Sequence, residues 1–347
     1  MATGFDFIVV PGDHIAEWME DRGINAAELA RRLGVPPKRV SELLRGKAPV
    51  SQQLAIDLER VTGIPARVWD LYETNYRSEL ARRADEEELA QQYEQAKEFP
   101  LSYLRKFGYI TASAKDRAGV VRQILTLFGA ASIDAIWQTW SCGNVAYRRR
   151  AVGRKDSAAL SVWLALGEQE LRRQAEIPRF DRDKLAKTLP EIRSLTVDDP
   201  AAGFASAIAK LFDAGVVCCQ VPAVPGLGVH GATRWLQGTP VVQLSLLGRS
   251  DDQLWFTLFH EIGHILLHGD SDLYLNGEPS QAEREADEFA SNQLIPAEFI
   301  DRIPHNRDLD AIRQLAAEIG IAPSIVLGRA QFETGDFAWG HELKRKI

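Results

Sequence analysis

Residues 256–268 read Phe-Thr-Leu-Phe-His-Glu-Ile-Gly-His-Ile-Leu-Leu-His, and this stretch constrains the fold of the 347-residue chain more than any other. On an α-helix His260 and His264 are i and i+4, so both rings leave one face and can meet a single cation from the same side. Glu261 sits too far round the helix to complete that coordination sphere, yet close enough to take a proton from a water held there. Ser250 and Gln253 have the spacing of a capping box, Asp251 and Asp252 suit the positive end of a helix, and Gly269 offers a stop. The plain alternative is an apolar core helix with incidental histidines.

A catalytic zinc needs a third protein donor and one open position. Residues 280–296 read as a second helix whose Ala286 and Ala290, four apart, give a small-residue face where another helix can come close. Glu283 lies on that face and is the candidate third ligand, whereas Glu285 points about 100° away. Two other readings stay open: Glu285 as the ligand, and Glu283 as half of a capping box with Ser280. His268 continues the histidine stripe by one turn and reads as a flanking group. Asp287 is placed to orient a ligand histidine. His230, Tyr274 and His305 are candidate donors to a tetrahedral oxyanion, and the sequence does not rank them.

Length suggests two or three domains, and 45% hydrophobic with 26% charged residues is the composition of a folded chain with a substantial core. No secretory pattern opens the sequence, and no apolar run approaches the roughly 20 residues that span a bilayer, so a cytoplasmic location without a membrane partner is expected. Cys142, Cys218 and Cys219 lack metal-site spacing and suggest reduced, mostly buried thiols. A net charge of -7 argues against indiscriminate nucleic-acid binding but leaves room for a local basic face.

Such a face lies near the N-terminus. Within residues 26–47 one helix ends at Gly34 and another starts at Pro36 or Pro37, the geometry of a helix-turn-helix. Leu29, Ala30, Leu33, Val35, Val40 and Leu43 form the buried side. Arg31, Arg32, Lys38, Arg39, Ser41, Glu42, Arg45 and Lys47 are the candidate DNA-contacting residues, with the second helix entering the major groove. From Arg31 to Lys47 there are six basic residues and one acidic. With Pro11, Gly12 and Asp13 before it and Trp-Asp-Leu-Tyr-Glu-Thr-Asn-Tyr at 69–76 closing it, this region resembles the Xre-type helix-turn-helix of HigA-like antitoxins and related repressors. The resemblance implies selective binding of a double-stranded DNA operator, as a homodimer on two half-sites. A small helical protein-interaction module is the competing reading.

Residues 77–98 are charged and helix-prone, a connecting helix with room for a dimerising stripe. Residues 99–213 carry amphipathic patterns without derivable chemistry and read as a helical scaffold or sensing region, with Trp137, Trp140 and Trp163 as core. Residues 216–221 and 240–246 are β-branched runs that read as strands. The glycine-rich stretch 225–238 between them reads as a connecting loop, a candidate wall for an extended peptide. Near the C-terminus, residues 315–326 repeat the Leu, Ala, Gly, Pro and Val anchors of residues 29–40 without the basic face, so a helix pair of the same shape is expected.

From about residue 216 onward the chain resembles the ImmA/IrrE metallopeptidase family, carried by Trp-Phe-Thr-Leu-Phe-His-Glu-Ile-Gly-His at 255–264 and by residues 283–296. Members are zinc-dependent peptidases that cleave Xre-type repressors, or act with them, in stress responses, prophage induction and mobile-element control. The resemblance implies one Zn2+ per chain on His260, His264 and Glu283, with Glu261 as general base; manganese is the alternative ion. The expected fold is α+β and mostly helical: a helix-turn-helix domain over residues 1–76, the connecting helix, the scaffold, and a zincin-like domain over 214–347 in which a small sheet packs on the metal-binding helix. The expected function is a DNA-binding regulator whose zinc endopeptidase domain hydrolyses a repressor, itself or a partner, in a stress, toxin-antitoxin or mobile-element response. The alternative is a HigA-like repressor whose metal site is structural, without turnover.

Overall fold

A computed structural model describes residues 9–141, 154–245, 247, 248, 250–269, 274, 275 and 280–347, so Cys142 lies outside the described residues. The chain is a mostly helical α+β protein in two compact units, one of residues 1–93 with 117–119, the other of 94–116 with 120–347.

The described residues of the first unit form, in chain order, α1 (Pro11–Asp21), α2 (Ala26–Leu33), α3 (Pro37–Leu44), α4 (Gln52–Thr62) and α5 (Ala66–Gln91). Asn25 caps α2 by accepting the Glu28 N–H, and Gly34 closes it in the left-handed region at φ 66°, which lets the chain turn directly into Pro36 and Pro37 at the start of α3. Leu29, Ala30, Leu33, Val40, Leu43 and the fully buried Trp69 pack into one core, with Val35 half-buried against it. Gly12 lets α1 sit on the end of α3, because a Cβ there would lie 2.5 Å from the Leu43 and Leu44 backbone. One difference from the sequence expectation concerns the boundary at 76/77, which falls inside the uninterrupted α5. Glu73 explains the continuity: it accepts the Val50 N–H at 3.1 Å and pairs with Arg77 at 2.7 Å, tying the middle of α5 to the loop after α3.

After α5 come α6 (Tyr93–Ala96), α7 (Leu101–Lys106), α8 (Arg117–Phe128) and α9 (Ile133–Ser141), which belong to the second unit except for Tyr93 and residues 117–119. Phe99 stacks on Trp137, and Phe128 meets Trp140 edge-on, so these tryptophans are packing residues. The stretch Arg117–Trp140 is long and apolar enough to cross a membrane by length and composition, which corrects the expectation that no run approaches that length. It is divided into α8 and α9 at Gly129, φ 63°, and half of its most apolar 18-residue window is buried.

The rest of this unit is built in layers. Helices α10 (Arg154–Arg173), α11 (Arg182–Ser194) and α12 (Pro200–Asp213) lead into a sheet of β1 (Val217–Gln220), β2 (Gly231–Leu236), β3 (Thr239–Leu244) and, after the long helix α13 (Asp251–His268), β4 (Tyr274–Leu275). The order is β1-β3-β2-β4, with β1 parallel to β3 and the other pairs antiparallel. Helices α14 (Gln281–Leu294), α15 (Leu309–Ile319) and α16 (Pro323–Thr334) follow.

The expected loop at 225–238 is therefore in part a strand: β2 and β3 form a hairpin through Gln237 and Gly238, both at positive φ (53° and 81°), as a tight two-residue turn requires. β2 is also no free edge at Ala232 and Thr233, which β4 covers. Both sheet faces are buried. On one, Gln243 donates to the Trp163 carbonyl at 2.6 Å and Arg234 to that of Leu164 at 2.7 Å, while Gly167 leaves the room that a Cβ, 1.9 Å from Gln243 Oε1, would take. On the other, Cys218, Val242 and Leu244 join a core with Trp255, Phe259 and Ile262 of α13, Leu189 and Ile192 of α11, and Phe204 and Leu211 of α12. The segment read as scaffold thus supplies walls of the α13 core.

The start of α13 also differs from expectation. Ser250 is its N-cap residue but makes no side-chain cap bond. The C-terminal segment organises this end instead: Arg345 pairs with the fully buried Asp251 at 2.7 Å, Ser324 donates to Asp251 at 2.8 Å, and Lys344 pairs with Asp252 at 2.8 Å.

Candidate metal centre and nucleic-acid interface

Helices α13 and α14 approach closely because Gly263 faces Ala286: a Cβ on Gly263 would lie 3.3 Å from Ala286 Cα and 3.0 Å from the Phe289 ring. That approach carries Glu283 to the histidines. His260 Nε2 lies 3.1 Å from Glu283 Oε2, His264 Nε2 lies 3.3 Å from Glu283 Oε1, and the two Nε2 atoms are 3.1 Å apart. All three residues are buried, and one ligand atom from each falls within 4.8 Å of the others. Ser280 caps α14 by accepting the Glu283 N–H at 3.1 Å, but the Glu283 carboxylate turns to the histidines rather than back to the cap. Glu285 instead sits 2.9 Å from His268 Nε2.

The outer nitrogens are held as well. His260 Nδ1 is 2.8 Å from Asp287 Oδ1, and His264 Nδ1 is 3.1 Å from His268 Nδ1. A proton on His260 Nδ1, facing a carboxylate, leaves the Nε2 lone pair of the neutral ring pointing at His264 Nε2 and Glu283. Three Lewis bases then converge with only a proton or a cation to reconcile them, so the donor set of two imidazoles and one carboxylate fits a divalent metal. The electrostatics show the same demand. Burial pulls His260 down, but the Asp287 and Glu283 carboxylates, with Glu261, hold it at about 10. Burial raises Glu283, but bonds from His260 and His264 hold it at about 2. His264 is pulled down, chiefly by burial.

Glu261 is fully buried and faces the sheet. The Thr233 hydroxyl on β2 reaches its Oε2 at 2.6 Å and its own carbonyl at 3.0 Å, and Oε1 has no partner. Gly231 makes room for this carboxylate, since a Cβ there would stand 2.3 Å from Oε1. Burial pushes the Glu261 carboxyl up to about 8, with Glu283 adding to it and His260 and Thr233 opposing. Thr233 had no signal in the sequence: it lies 28 residues from Glu261 on a strand hidden in a glycine-rich stretch.

Among the candidate oxyanion donors, His305 is exposed and paired with Glu333 at 2.7 Å. His230 is half-buried, its imidazole pulled down by burial, and it lines a small pocket with Thr257, one turn before Glu261. The Tyr274 side chain lies outside what the structure describes. Cys218 and Cys219 are free and buried, with burial pushing both thiols up, Cys219 to about 12.

In the first unit, Arg31, Arg32, Lys38, Arg45 and Lys47 are exposed, and Arg39, Ser41 and Glu42 are half-buried. The face is less basic than the count suggests. Glu28, just upstream of the counted window, pairs with Arg31 at 2.5 Å and Arg32 at 2.9 Å. Arg45 bonds the Ser41 hydroxyl, Arg39 donates to the Pro49 carbonyl at 3.3 Å, and Lys38 is 3.9 Å from Glu42.

Comparison with known proteins matches two family models to the chain. Residues 15–69 match the helix-turn-helix family and residues 213–330 match the IrrE N-terminal-like domain, a peptidase family. A curated relative, an uncharacterized HTH-type transcriptional regulator, YddM, of Escherichia coli (strain K12), is 36% identical over 59 residues, 17% of this chain. The chain spans 63% of that relative's length. One chain thus carries a segment that matches the helix-turn-helix family and, after it, a segment that matches the IrrE N-terminal-like domain.

Proposed function

We propose that the chain is a DNA-binding regulator, dimeric and cytoplasmic, whose second unit is a zinc-dependent endopeptidase acting on a repressor-type protein, its own chain or a partner. The observation that carries the enzymatic half is the buried convergence of His260, His264 and Glu283 beside Glu261. His260 Nε2, His264 Nε2 and the Glu283 carboxylate would hold the ion, which when bound acidifies water and polarises a carbonyl. Glu261 would take a proton from the attacking water at its unpartnered Oε1 and return it to the leaving amine as the C–N bond breaks. Thr233 fixes the other oxygen of Glu261, Asp287 fixes His260, and His268 with Glu285 fixes His264.

The first unit reads an operator through the start of α3, with Lys38, Arg39, Ser41, Glu42, Arg45 and Lys47 at the DNA and Arg31 and Arg32 released from Glu28 to reach phosphate. A salt-sensitive gel shift on upstream DNA tests this part.

A second reading has an observation of its own. His260 is 1% exposed, His264 0% and Glu261 0%, the enclosure of a structural or regulatory metal rather than an open catalytic one. Glu261→Gln separates the two. The peptidase reading expects the variant to keep zinc and DNA binding while a cleavage product of the repressor disappears. A product that persists at the wild-type rate, or that neither protein forms, leaves the regulatory metal site.

A further inference from the structure

A cavity of about 370 Å³ lies beside the metal triad without including it. Phe256, Leu294, Ile295, Ile325, Phe332 and Phe337 give it apolar walls, and its volume is within the about 300–1,000 Å³ of small-molecule sites. Phe332 is 73% and Phe337 58% exposed, a large aromatic surface left to water.

Asp287 belongs to both places. It lines the cavity, and its Oδ1 holds His260 Nδ1 at 2.8 Å, on the far side of the ring from the triad-facing Nε2. A molecule in the cavity is thereby kept from the reacting atoms but touches the group that orients a ligand histidine.

The polar groups of the walls select the ligand. Both cations are engaged, Arg329 with Glu333 at 2.6 Å and Lys344 with Asp252 at 2.8 Å. Glu288 is exposed at the wall, and the Asp287 side chain is 56% exposed. Two further wall residues, Asp252 at 8% exposure and Gln331 at 0%, each keep one side-chain oxygen without a hydrogen-bond partner, Oδ1 and Oε1. The unsatisfied groups are acceptors and the excess charge is acidic. An anionic ligand would meet repulsion here, whereas an ammonium supplies both the donors and the opposite charge.

We propose that this cavity is a regulatory site for a small ligand with an apolar, aromatic-sized body and a protonated amine head, and that its occupancy weakens metal binding through Asp287. The second half rests on the metal-centre reading. The amine competes with His260 Nδ1 for the Asp287 carboxylate, and loss of such an outer partner costs a metal site about 10–100-fold in affinity. By linkage, zinc weakens the amine by the same factor.

The test uses the full chain and 2-phenylethylamine as probe, titrated calorimetrically into metal-free and zinc-loaded protein beside 3-phenylpropionate as the anionic counterpart. Two variants accompany it: Ser291→Trp, which fills the cavity, and Phe332→Ala, which removes an exposed ring without touching the core. The amine is expected to bind the metal-free chain at least about tenfold more tightly than the propionate, and both variants to weaken it by a similar factor. Saturating amine is expected to weaken zinc by about tenfold. Equal binding of the propionate, an affinity unchanged in both variants, or a zinc affinity indifferent to bound amine would overturn the proposal. Should the chain take up no zinc at all, the metal-centre reading and the proposed linkage both fall, and the metal-free titrations still decide whether the cavity is an amine site.

Discussion

Thr233 and Glu261 set the chemistry of the candidate base through one contact of 2.6 Å. Replacing Thr233 by Val keeps the shape of the side chain and removes the hydroxyl, so the Glu261 carboxylate is left in the same burial with its position unheld. Zinc content is expected to stay at the wild-type value while repressor cleavage falls by about 10–100-fold, the usual cost of losing an orienting partner. Metal analysis beside a cleavage assay checks this, and unaltered turnover would assign Thr233 a packing role only. His260, Glu261 and His264 were legible because they share one helical turn, and Glu283 because helix geometry puts it on the Ala286 and Ala290 face. Thr233 was not, since only the hairpin brings it near.

At the scale of elements, the spacing of α13 and α14 decides whether Glu283 reaches the histidines. Gly263→Leu places a side chain where a single Cβ already meets Ala286 and Phe289 at 3.3 and 3.0 Å. Overpacking of this kind costs about 1–3 kcal/mol, and the forced separation is expected to remove most zinc binding while the helical content is retained. Circular dichroism with zinc titration tests it, and a fully loaded variant would show that the helices tolerate a wider gap. α14 was readable from its Ser280 cap and α13 from the spacing of its histidines and apolar residues, whereas β2 was not, because Gly231, Arg234 and the neighbouring glycines mask its alternation. Its available mark was the Gln237-Gly238 turn, whose two positive φ values make the hairpin tight. The side chain of Arg234 contradicts a surface strand only once α10 is seen to cover it.

The whole second unit is closed by its C-terminal segment. Arg345 joins the fully buried Asp251 to the carbonyls of Thr196 and Asp198, at 2.5 and 2.6 Å, so one side chain links the start of α13 to the segment between α11 and α12. Arg345→Ala leaves Asp251 buried without its cation and is expected to cost roughly 3 kcal/mol, read from urea unfolding of the full chain. A loss below about 0.5 kcal/mol, the scale of ordinary surface changes, would mean that the Ser324 hydroxyl and the backbone N–H groups of Asp252 and position 345 satisfy Asp251 without the cation. Residues 154–213 were opaque in sequence for the same reason that they matter: α10, α11 and α12 cover surfaces presented by strands and helices far along the chain, and no local pattern names a distant partner. The central claim remains the metal centre, and native mass spectrometry of wild type and Glu283→Gln, purified without chelator, tests it most directly. The expected result is about one zinc per wild-type chain and none on the variant. A wild type that is metal-free and cannot be loaded would contradict the account and leave a DNA-binding protein on an inert peptidase-like fold.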